Sequence, residues 1–415
     1  MRKGESEYFF DCHCHTMTLG QVNITSFLEN LVNNSDLEIL FGIAGGNSGA
    51  ASKRPSSIMH NTFNLLTLMQ NDLVDIFTTM EDDLKGKFGG DSFADEEGLN
   101  LNGKRYEKLV LTPLLMDFKP LPGSKTRTHY PQPMKELGTV INEYSFAIKQ
   151  YYKERPKGLL HILPFLGINP SAYTLKELET IIEDSFGFYT AKWLKHSVKG
   201  SGFLTWMAGH ISPEKMFAGI KLYPPMGFNP WPEDPEERKK VEFLYSYAQE
   251  ASIPITTHCN DGGFVTVEYK QAIHNTNPAT WAEVLRRYPE LRINFAHAGV
   301  STTMQLPNLF GKKEKSWTEN IFELIEQYEN VYTDFSFNGI SPKFYQTFVK
   351  QLSDFDRKGH TRYGERVLFG TDFMINLMAI PSYRDYYKYY NESSLPPEMR
   401  HQFGSVNPRS FLNLR

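Results

Sequence analysis

Short apolar runs recur along the chain, and stretches with a helical spacing of apolar residues separate most of them. The strand-like runs lie at 9–16, 38–43, 109–116, 160–168, 219–223, 254–259, 292–297, 331–335 and 367–372. The main helix-like stretches lie at 58–84, 141–154, 175–184, 236–251, 281–288 and 321–328. Strands that alternate with helices predict βα units around a parallel sheet.

The number of candidate strands exceeds by one the eight strands of a closed (β/α)8 barrel. We therefore exclude the run at 38–43 and predict an α/β fold, a (β/α)8 TIM barrel. The surplus length is assigned to loop and helical insertions near 45–107, 189–212 and 339–363. No repeat, low-complexity tract or linker marks a second domain, so residues 1–415 are predicted to form one domain.

Composition excludes several classes of function. The chain has 415 residues, 40% of them hydrophobic and 14% aromatic, which is enough for a large buried core. A net charge of −4 provides no basic field for nucleic acid or for an anionic membrane. The chain has three cysteines, no apolar signal core and no apolar run that would span a bilayer, so we expect a cytoplasmic protein without a disulfide framework.

Two histidines close the first predicted strand, in the segment Asp11-Cys12-His13-Cys14-His15. Strand side chains alternate between faces, so His13 and His15 should point the same way, as a pair that can bind a metal ion. Asp11 shares their parity and would either orient a ligand histidine or form a salt bridge at the barrel floor. Cys12 and Cys14 should face the covering helices instead.

Further candidate ligands lie where later predicted strands end. Two strands end in His258 and His297, and the last one ends in Asp372. Lys221 lies in an otherwise apolar strand with Tyr223 on the same face, and a buried ammonium is costly, so Lys221 should be paired, neutral or modified. Because barrel active sites assemble at the carboxyl ends of the strands, these side chains are expected to meet in one site.

In this order, the motifs resemble those of the amidohydrolase superfamily. They are His13-Cys14-His15, Lys221-Leu222-Tyr223-Pro224, Thr257-His258, Ala296-His297-Ala298-Gly299 and Phe369-Gly370-Thr371-Asp372. The closing segment 404–412 resembles the terminal helix of that family. The resemblance extends from the first strand to the C-terminus, and it is closest to the amidohydrolase-related group that includes aminocarboxymuconate semialdehyde decarboxylase.

The resemblance implies a deformed TIM barrel that holds one or two divalent metal ions, usually zinc. By this resemblance His13 and His15 would bind the first ion together with Asp372. His258 and His297 would complete that site or form a second one.

Lys221 has two alternative roles. It occupies the position of the lysine that is carboxylated in binuclear members of the family and bridges their two ions, in a segment similar to that of dihydroorotases. Much of the amidohydrolase-related group uses a single metal and no such lysine. The alternative for Lys221 is an unmodified amine that binds a substrate carboxylate.

The expected mechanism uses a metal-activated water. A bound divalent ion lowers the pKa of its water toward about 7, and Asp372 would act as the general base that takes the proton and returns it to the leaving group. His297 or His258 would polarise the substrate carbonyl, and Tyr223 would either donate to the oxyanion or pack as a structural aromatic. Other polar residues are expected to be structural or exposed: His161, His210, His274, Asp117 and Asp334.

Three functional hypotheses follow. The first is a metal-dependent hydrolase of a small amide, lactone or ester. The second is a lyase on the same barrel, a decarboxylase or a hydratase, and a decarboxylase would need a cationic clamp for which Lys53, Arg54 and Lys221 are the candidates. The third, a barrel that keeps the metal structurally or serves only as a binding module, is disfavoured because four histidines and Asp372 exceed the four ligands of a closed zinc site. The expected partner is a small-molecule substrate, and a homodimer is expected only from the prevalence of two-fold oligomers.

Overall fold

A computed structural model of the chain describes residues 7–22, 55–123, 135–190, 209–300 and 316–414, without the side chains of 55–60, 189 and 190. Its strands are β1 Tyr8–Cys14, β2 Ala94–Asp95, β3 Gly98–Leu101, β4 Lys104–Tyr106, β5 Lys108–Pro113, β6 Leu160–Ile162, β7 Phe165–Gly167, β8 Gly219–Leu222, β9 Ile255–Thr257, β10 Ile293–Phe295, β11 Val331–Asp334 and β12 Val367–Leu368. Its α-helices are α1 Pro55–Met69, α2 Leu73–Leu84, α3 Leu137–Glu154, α4 Leu175–Phe186, α5 Pro235–Ala251, α6 Tyr269–Thr276, α7 Ala282–Arg287, α8 Trp317–Gln327, α9 Pro342–Arg357, α10 Tyr383–Asn391, α11 Pro397–His401 and α12 Asn407–Phe411.

Nine of the described strands, all except β2, β3 and β4, form a ring of parallel neighbours. Its order is β1, β5, β6 with β7, β8, β9, β10, β11 and β12. Pro164, which has no N–H, lies between β6 and β7. Because β6 pairs with β5 and β7 pairs with β8, these two short strands together occupy one strand position of the barrel. Backbone hydrogen bonds of 3.0 Å from Cys12 to Phe369 and from Thr371 to His13 join the first strand to the last, which closes the barrel.

The predicted α/β TIM barrel is therefore confirmed. All eight predicted strands that were kept correspond to barrel positions, and the excluded run at 38–43 lies outside the described residues. From residue 55 onward, the interval 45–107 contains α1, α2 and the antiparallel sheet of β2, β3 and β4. Of the interval 189–212, only 189–190 and 209–212 are described.

The interval 339–363 was wrongly predicted to be an insertion. It contains α9, which is the helix that follows β11 in an ordinary βα unit. The buried residues of α9 recur every three or four positions, as one face of a helix requires. They are Tyr345, Phe348, Leu352 and Phe355.

Two hydrophobic clusters make up the described core. The larger one lies largely between the strands and the surrounding helices and includes Phe9 of β1 and Trp281. The smaller one includes Phe10 and Cys12 of β1, with Phe411 and Leu412 from the end of the chain. Since neighbouring residues of β1 belong to different clusters, the smaller cluster fills the barrel interior, which the C-terminal segment covers at one end.

A register irregularity between Asp11 and Cys14 changes the predicted faces of β1. His13 and His15 point into one site, but Asp11 does not share their face, and Cys12 packs in the barrel interior instead of against the helices. An extra residue in one strand reverses the alternation from that point onward, and strand parity alone does not reveal such a bulge.

The structure also describes the three cysteines and the lengths of the helices. Cys12, Cys14 and Cys259 are buried free thiols, so none of them forms a disulfide. Among the described helices, none combines the length and the apolar composition needed to cross a membrane.

Candidate metal centre

Polar side chains from six strand positions meet at the carboxyl ends of the barrel strands. None of these side chains is more than 6% exposed. They are His13 in β1, His15 directly after β1, Lys221 in β8, His258 after β9, His297 after β10, Asp334 in β11 and Asp372 after β12. The barrel therefore brings together every residue that was predicted as a metal ligand, and it adds Asp334.

His13, His15 and Asp372 form one group of potential metal ligands. Oδ1 of Asp372 lies 3.5 Å from Nε2 of His13 and 3.5 Å from Nε2 of His15. The other ring nitrogens are hydrogen-bonded, because His13 Nδ1 lies 3.1 Å from Asp334 Oδ2 and His15 Nδ1 lies 2.9 Å from the Leu114 carbonyl. An ionised carboxylate and a carbonyl only accept, so each Nδ1 donates and, in a neutral ring, each Nε2 carries no proton.

His258 and His297 form a second pair with the same property. Nδ1 of His258 lies 3.1 Å from Nε2 of His297. His258 Nε2 donates to the carbonyl of Gly262 at 3.1 Å, and His297 Nδ1 donates to the carbonyl of Ser336 at 3.1 Å. The two nitrogens that face each other are therefore both unprotonated in neutral rings.

Electrostatics keep these rings neutral. Burial lowers the pKa of His13, His15 and His258 and brings that of His297 to about 3. Neighbouring positive charge acts in the same direction, since Lys221 also lowers each of these values. The unprotonated nitrogens of His13 and His15 thus face the Asp372 carboxylate, those of His258 and His297 face each other, and Nε2 of His13 has no hydrogen-bond partner. Imidazole nitrogens with a carboxylate oxygen are the donor set of zinc and similar divalent ions, so the side chains fit such an ion.

Asp334 was expected to be structural or exposed, but it lies in the middle of the site. Its Oδ2 accepts from His13 Nδ1 at 3.1 Å and from Asn294 Nδ2 at 2.6 Å, while Oδ1 accepts the N–H groups of His297 and Ser336 at 3.1 and 3.0 Å. Burial opposes ionisation, but the contacts with His13 and His297 hold the pKa of Asp334 well below its usual value. The sequence feature that could have identified Asp334 is the same as for Asp372, namely a carboxylate at the end of a predicted strand.

Asp372 is held by backbone contacts on both sides. Its φ is 60°, and its N–H donates to the carbonyl of His13 at 2.7 Å. Burial raises the pKa of Asp372 well above its usual value, which Lys221 partly opposes. The preceding residue, Thr371, donates to Asp11 through its N–H at 3.0 Å and through its hydroxyl at 2.7 Å.

Asp11 has neither of its predicted roles. It forms no salt bridge within the described structure and does not contact an imidazole; instead it accepts from Thr371 and from the Tyr383 hydroxyl at 2.9 Å. Burial raises the pKa of Asp11 to about 7. Asp11 therefore anchors the segment that carries Asp372.

Lys221 and Tyr223 lie beside the histidines. Nζ of Lys221 is buried, has no hydrogen-bond partner and lies 5.7 Å from the centre of the Tyr223 ring. The Tyr223 oxygen accepts the N–H of Phe264 at 2.9 Å, and its ring lies 4.5 Å from that of His258. Since the oxygen acts as an acceptor in that contact, the hydroxyl proton stays available for another group.

His161, His210 and His274 lie outside the ligand cluster, whereas Asp117 lines a cavity together with Lys221. His210 and His274 are exposed, and His161 lies in β6, where burial lowers its pKa to about 4. Asp117 is buried beside Lys221 in the wall of a small cavity.

One comparison with known proteins matches the part of the chain that contains most of the candidate ligands. The family model described as amidohydrolase matches residues 211–414, which include Lys221, His258, His297 and Asp372. No curated protein sequence matches the chain. The match begins at residue 211 and leaves out the N-terminal part of the chain. His13 and His15 lie in that part, but both contact Asp372, which lies in the matched region.

Solved structures with a similar chain course include three enzymes. The 5-carboxyvanillate decarboxylase of Novosphingobium aromaticivorans, complexed with manganese, is 10% identical, with 100% of this chain and 97% of that chain covered and a TM-score of 0.47. A probable 2-pyrone-4,6-dicarboxylic acid hydrolase of Acinetobacter baumannii is 10% identical, with 98% and 99% covered and a TM-score of 0.46. The 4-oxalomesaconate hydratase of Rhodopseudomonas palustris is 14% identical, with 98% and 96% covered and a TM-score of 0.43.

At these identities and TM-scores, the three structures carry no information about the reaction of this chain. The family model and the site of imidazoles and carboxylates at the barrel's carboxyl end carry the assignment. Residues 211–414 match the amidohydrolase family, which confirms the predicted resemblance and indicates a metal-dependent enzyme.

Proposed function

We propose that the protein is a zinc-dependent hydrolase of a small amide, lactone or ester in which Asp372 is the general base. The observation that carries this proposal is the position of the Asp372 carboxylate, 3.5 Å from the unprotonated nitrogens of both His13 and His15. A closed structural zinc site needs four ligands, whereas this cluster contains four imidazoles and a carboxylate. The surplus supports a catalytic site with a place for water.

His13, His15 and Asp372 would hold the first ion, and His258 with His297 would complete its ligands or hold a second ion. When bound, the ion would lower the pKa of a water toward about 7 and so supply a nucleophile at neutral pH. Asp334 would keep His13 in the tautomer that presents Nε2, through the contact of 3.1 Å with Nδ1.

Side chains of the protein would transfer the proton and bind the oxyanion. Asp372 would take the proton of the water and deliver it to the leaving group. Tyr223 would donate its free hydroxyl proton to the developing oxyanion. His297 is better suited to bind metal than to polarise the substrate carbonyl, because its proton is already donated to Ser336.

The test is turnover by zinc-loaded protein on a panel of lactones, esters and amides, with product and carbon dioxide measured in parallel. Hydrolysis without carbon dioxide supports the proposal, whereas carbon dioxide release identifies the decarboxylase alternative. Asp372→Asn should lower kcat by about 10²-fold to 10⁴-fold, as expected for loss of a general base. Asp75→Asn, an exposed residue of α2, is the control and should keep full turnover. Full activity of Asp372→Asn would refute the mechanism.

Carboxylation of Lys221 stays a prediction, and so does the number of ions. Zinc per chain from elemental analysis, together with the intact mass of the native protein, tests both. A bridging lysine requires the added mass of carbon dioxide and the joint loss of both ions in Lys221→Met.

A further inference from the structure

We propose that Lys221 is an unmodified amine that anchors a carboxylate of the substrate, so that the substrates are small molecules with one carboxylate and an apolar body. This inference rests on the proposed function, since it names the substrate class of the same site. Its basis is the unpartnered Nζ and the composition of the cavity that it lines.

Lys221 differs from the other buried cationic side chains of the described structure. Lys221 is 1% exposed, and its Nζ has no hydrogen-bond partner. Lys240 is also buried, but it donates to Glu237 at 2.5 Å, and the buried Arg366 donates to Glu329 at 3.0 Å. A buried ammonium without a hydrogen-bond partner is unfavourable because it has lost its hydration. An anion that binds at Nζ would remove that cost.

The site's own carboxylates form no hydrogen bond with Lys221. Asp372 and Asp334 act on it only through space, without a hydrogen bond to Nζ. Oxygens of both carboxylates already face histidine nitrogens. A bound divalent ion would engage Asp372 further and leave Lys221 as the free positive group beside the reacting atoms.

The cavity beside Lys221 is small and places apolar side chains next to the amine. Much of its wall is apolar, with side chains of Leu115, Met116, Ile168 and Met226. The remaining lining residues are Asp117, Gly167, Asn169, Lys221 and Tyr223.

Two of the polar lining residues are already engaged. Asp117 accepts the N–H groups of Lys119 and Asn169, both at 3.1 Å. The Asn169 amide donates to the Met226 carbonyl at 3.1 Å. Lys221 and the Tyr223 hydroxyl are therefore the lining side chains with protons left to donate, one to a carboxylate and one to the reacting group.

The experiment measures binding of benzoate and of its neutral isostere benzamide to zinc-loaded full-length protein by calorimetry. Benzoate should bind at least about tenfold more tightly than benzamide, the factor expected for a charge-assisted hydrogen bond. Lys221→Met should lose about 10-fold to 100-fold in benzoate affinity while its zinc content and benzamide affinity stay unchanged. Lys119→Met is the matched control, because that cation is exposed and its Nζ lies 3.9 Å from the Tyr173 ring centre; its benzoate affinity should stay that of the unmodified sequence.

Three results would overturn the proposal: equal affinity for benzoate and benzamide, loss of zinc in Lys221→Met, or carbon dioxide bound to Lys221 in the intact mass. Lys221→Met should be at least as stable to heat as the unmodified sequence, since it removes an unpaired buried charge. Lys221→Arg, which keeps the charge, should retain benzoate binding and provides a second variant. Benzoate binding through Lys221 without hydrolysis of any ester, lactone or amide would leave the anchor in place and refute the proposed hydrolase.

Discussion

His258 Nδ1 and His297 Nε2 lie 3.1 Å apart, and each ring donates its own proton to a carbonyl on its far side. Two lone pairs therefore face each other inside the barrel. Such a contact is unfavourable until a proton or a cation lies between the nitrogens. Burial lowers the pKa of both rings, which disfavours an added proton, and a bound metal ion would relieve the contact.

Zinc should therefore stabilise the fold strongly. At free zinc about 1,000-fold above its dissociation constant, the free energy of unfolding should rise by about 4 kcal/mol. Calorimetry of zinc-free and zinc-loaded protein measures this difference. In His258→Leu the gain should shrink, while His274→Leu, which alters an exposed residue of α6, should keep it. An equal Tm with and without zinc would contradict a metal site at these histidines.

Asp334→Asn should weaken zinc binding about 10-fold to 100-fold, the usual effect of removing a carboxylate that orients a ligand histidine. The amide replaces one acceptor oxygen by a donor, while His13, Asn294, His297 and Ser336 all donate to Asp334. Competition with a chromogenic chelator measures the affinity.

Asp117→Asn is the matched control for Asp334→Asn. Asp117 is likewise buried at the mouth of the barrel, but its recorded hydrogen bonds involve Lys119, Asn169 and Tyr173 and no histidine. It should keep the zinc affinity of the unmodified sequence. An Asp334→Asn variant with that same affinity would show that Asp334 does not support the ligands.

Much of the barrel and its site was predictable from the sequence because strand ends in a βα barrel converge. Each residue placed by that rule, such as His258 or Asp372, lies in the site. Asp334 follows the same rule, but one carboxylate at a strand end resembles any buried aspartate, and only its contacts distinguish it.

Two other errors concern Asp11 and its neighbour Cys12. The faces of Asp11 and Cys12 were wrong because of a register irregularity, which depends on pairing with β5 and leaves no mark in the pattern of a single strand. The hydrogen bond from Thr371 to Asp11 spans 360 positions of sequence, and no local pattern contains such a contact. Parity arguments thus hold along a regular strand and fail beyond a bulge.

Gly263→Ala should impair catalysis through His258 and Tyr223. A Cβ at residue 263 would lie 2.4 Å from the Tyr223 hydroxyl oxygen and 3.2 Å from His258 Nε2, so one of these side chains would have to move. The φ of Gly263 is +102°, which costs any residue with a Cβ about 1 kcal/mol or more in addition. Turnover and zinc content are measured together.

Gly89→Ala separates the backbone strain from the clash. Gly89 has a similar φ of +94°, and a Cβ there would meet nothing within 4 Å. Both variants should lose some stability, but only Gly263→Ala should lose turnover, by at least about tenfold if the oxyanion donor is displaced. Equal turnover in the two variants would argue against a catalytic role for Tyr223.

His161 should make the protein less stable in mild acid. Its ring is mostly buried in β6 with Nδ1 unpartnered, and burial lowers its pKa to about 4 from the ordinary value of 6.5. Between these two pKa values the unfolded chain binds a proton that the folded chain does not. The stability that neutral His161 provides is therefore complete above pH 6.5 and is lost as the pH falls toward 4.

His161→Leu removes this titration and keeps a buried apolar side chain next to Tyr8, whose ring lies 5.8 Å from that of His161. Between about pH 7.5 and about pH 5, the unmodified sequence should lose about 2 kcal/mol more of its free energy of unfolding than the variant does. Denaturant unfolding of both proteins at the two pH values, with zinc removed from both, isolates this difference, because every other titrating group is common to them. A variant that loses as much stability as the unmodified sequence would mean that the His161 ring accepts a proton in the folded barrel.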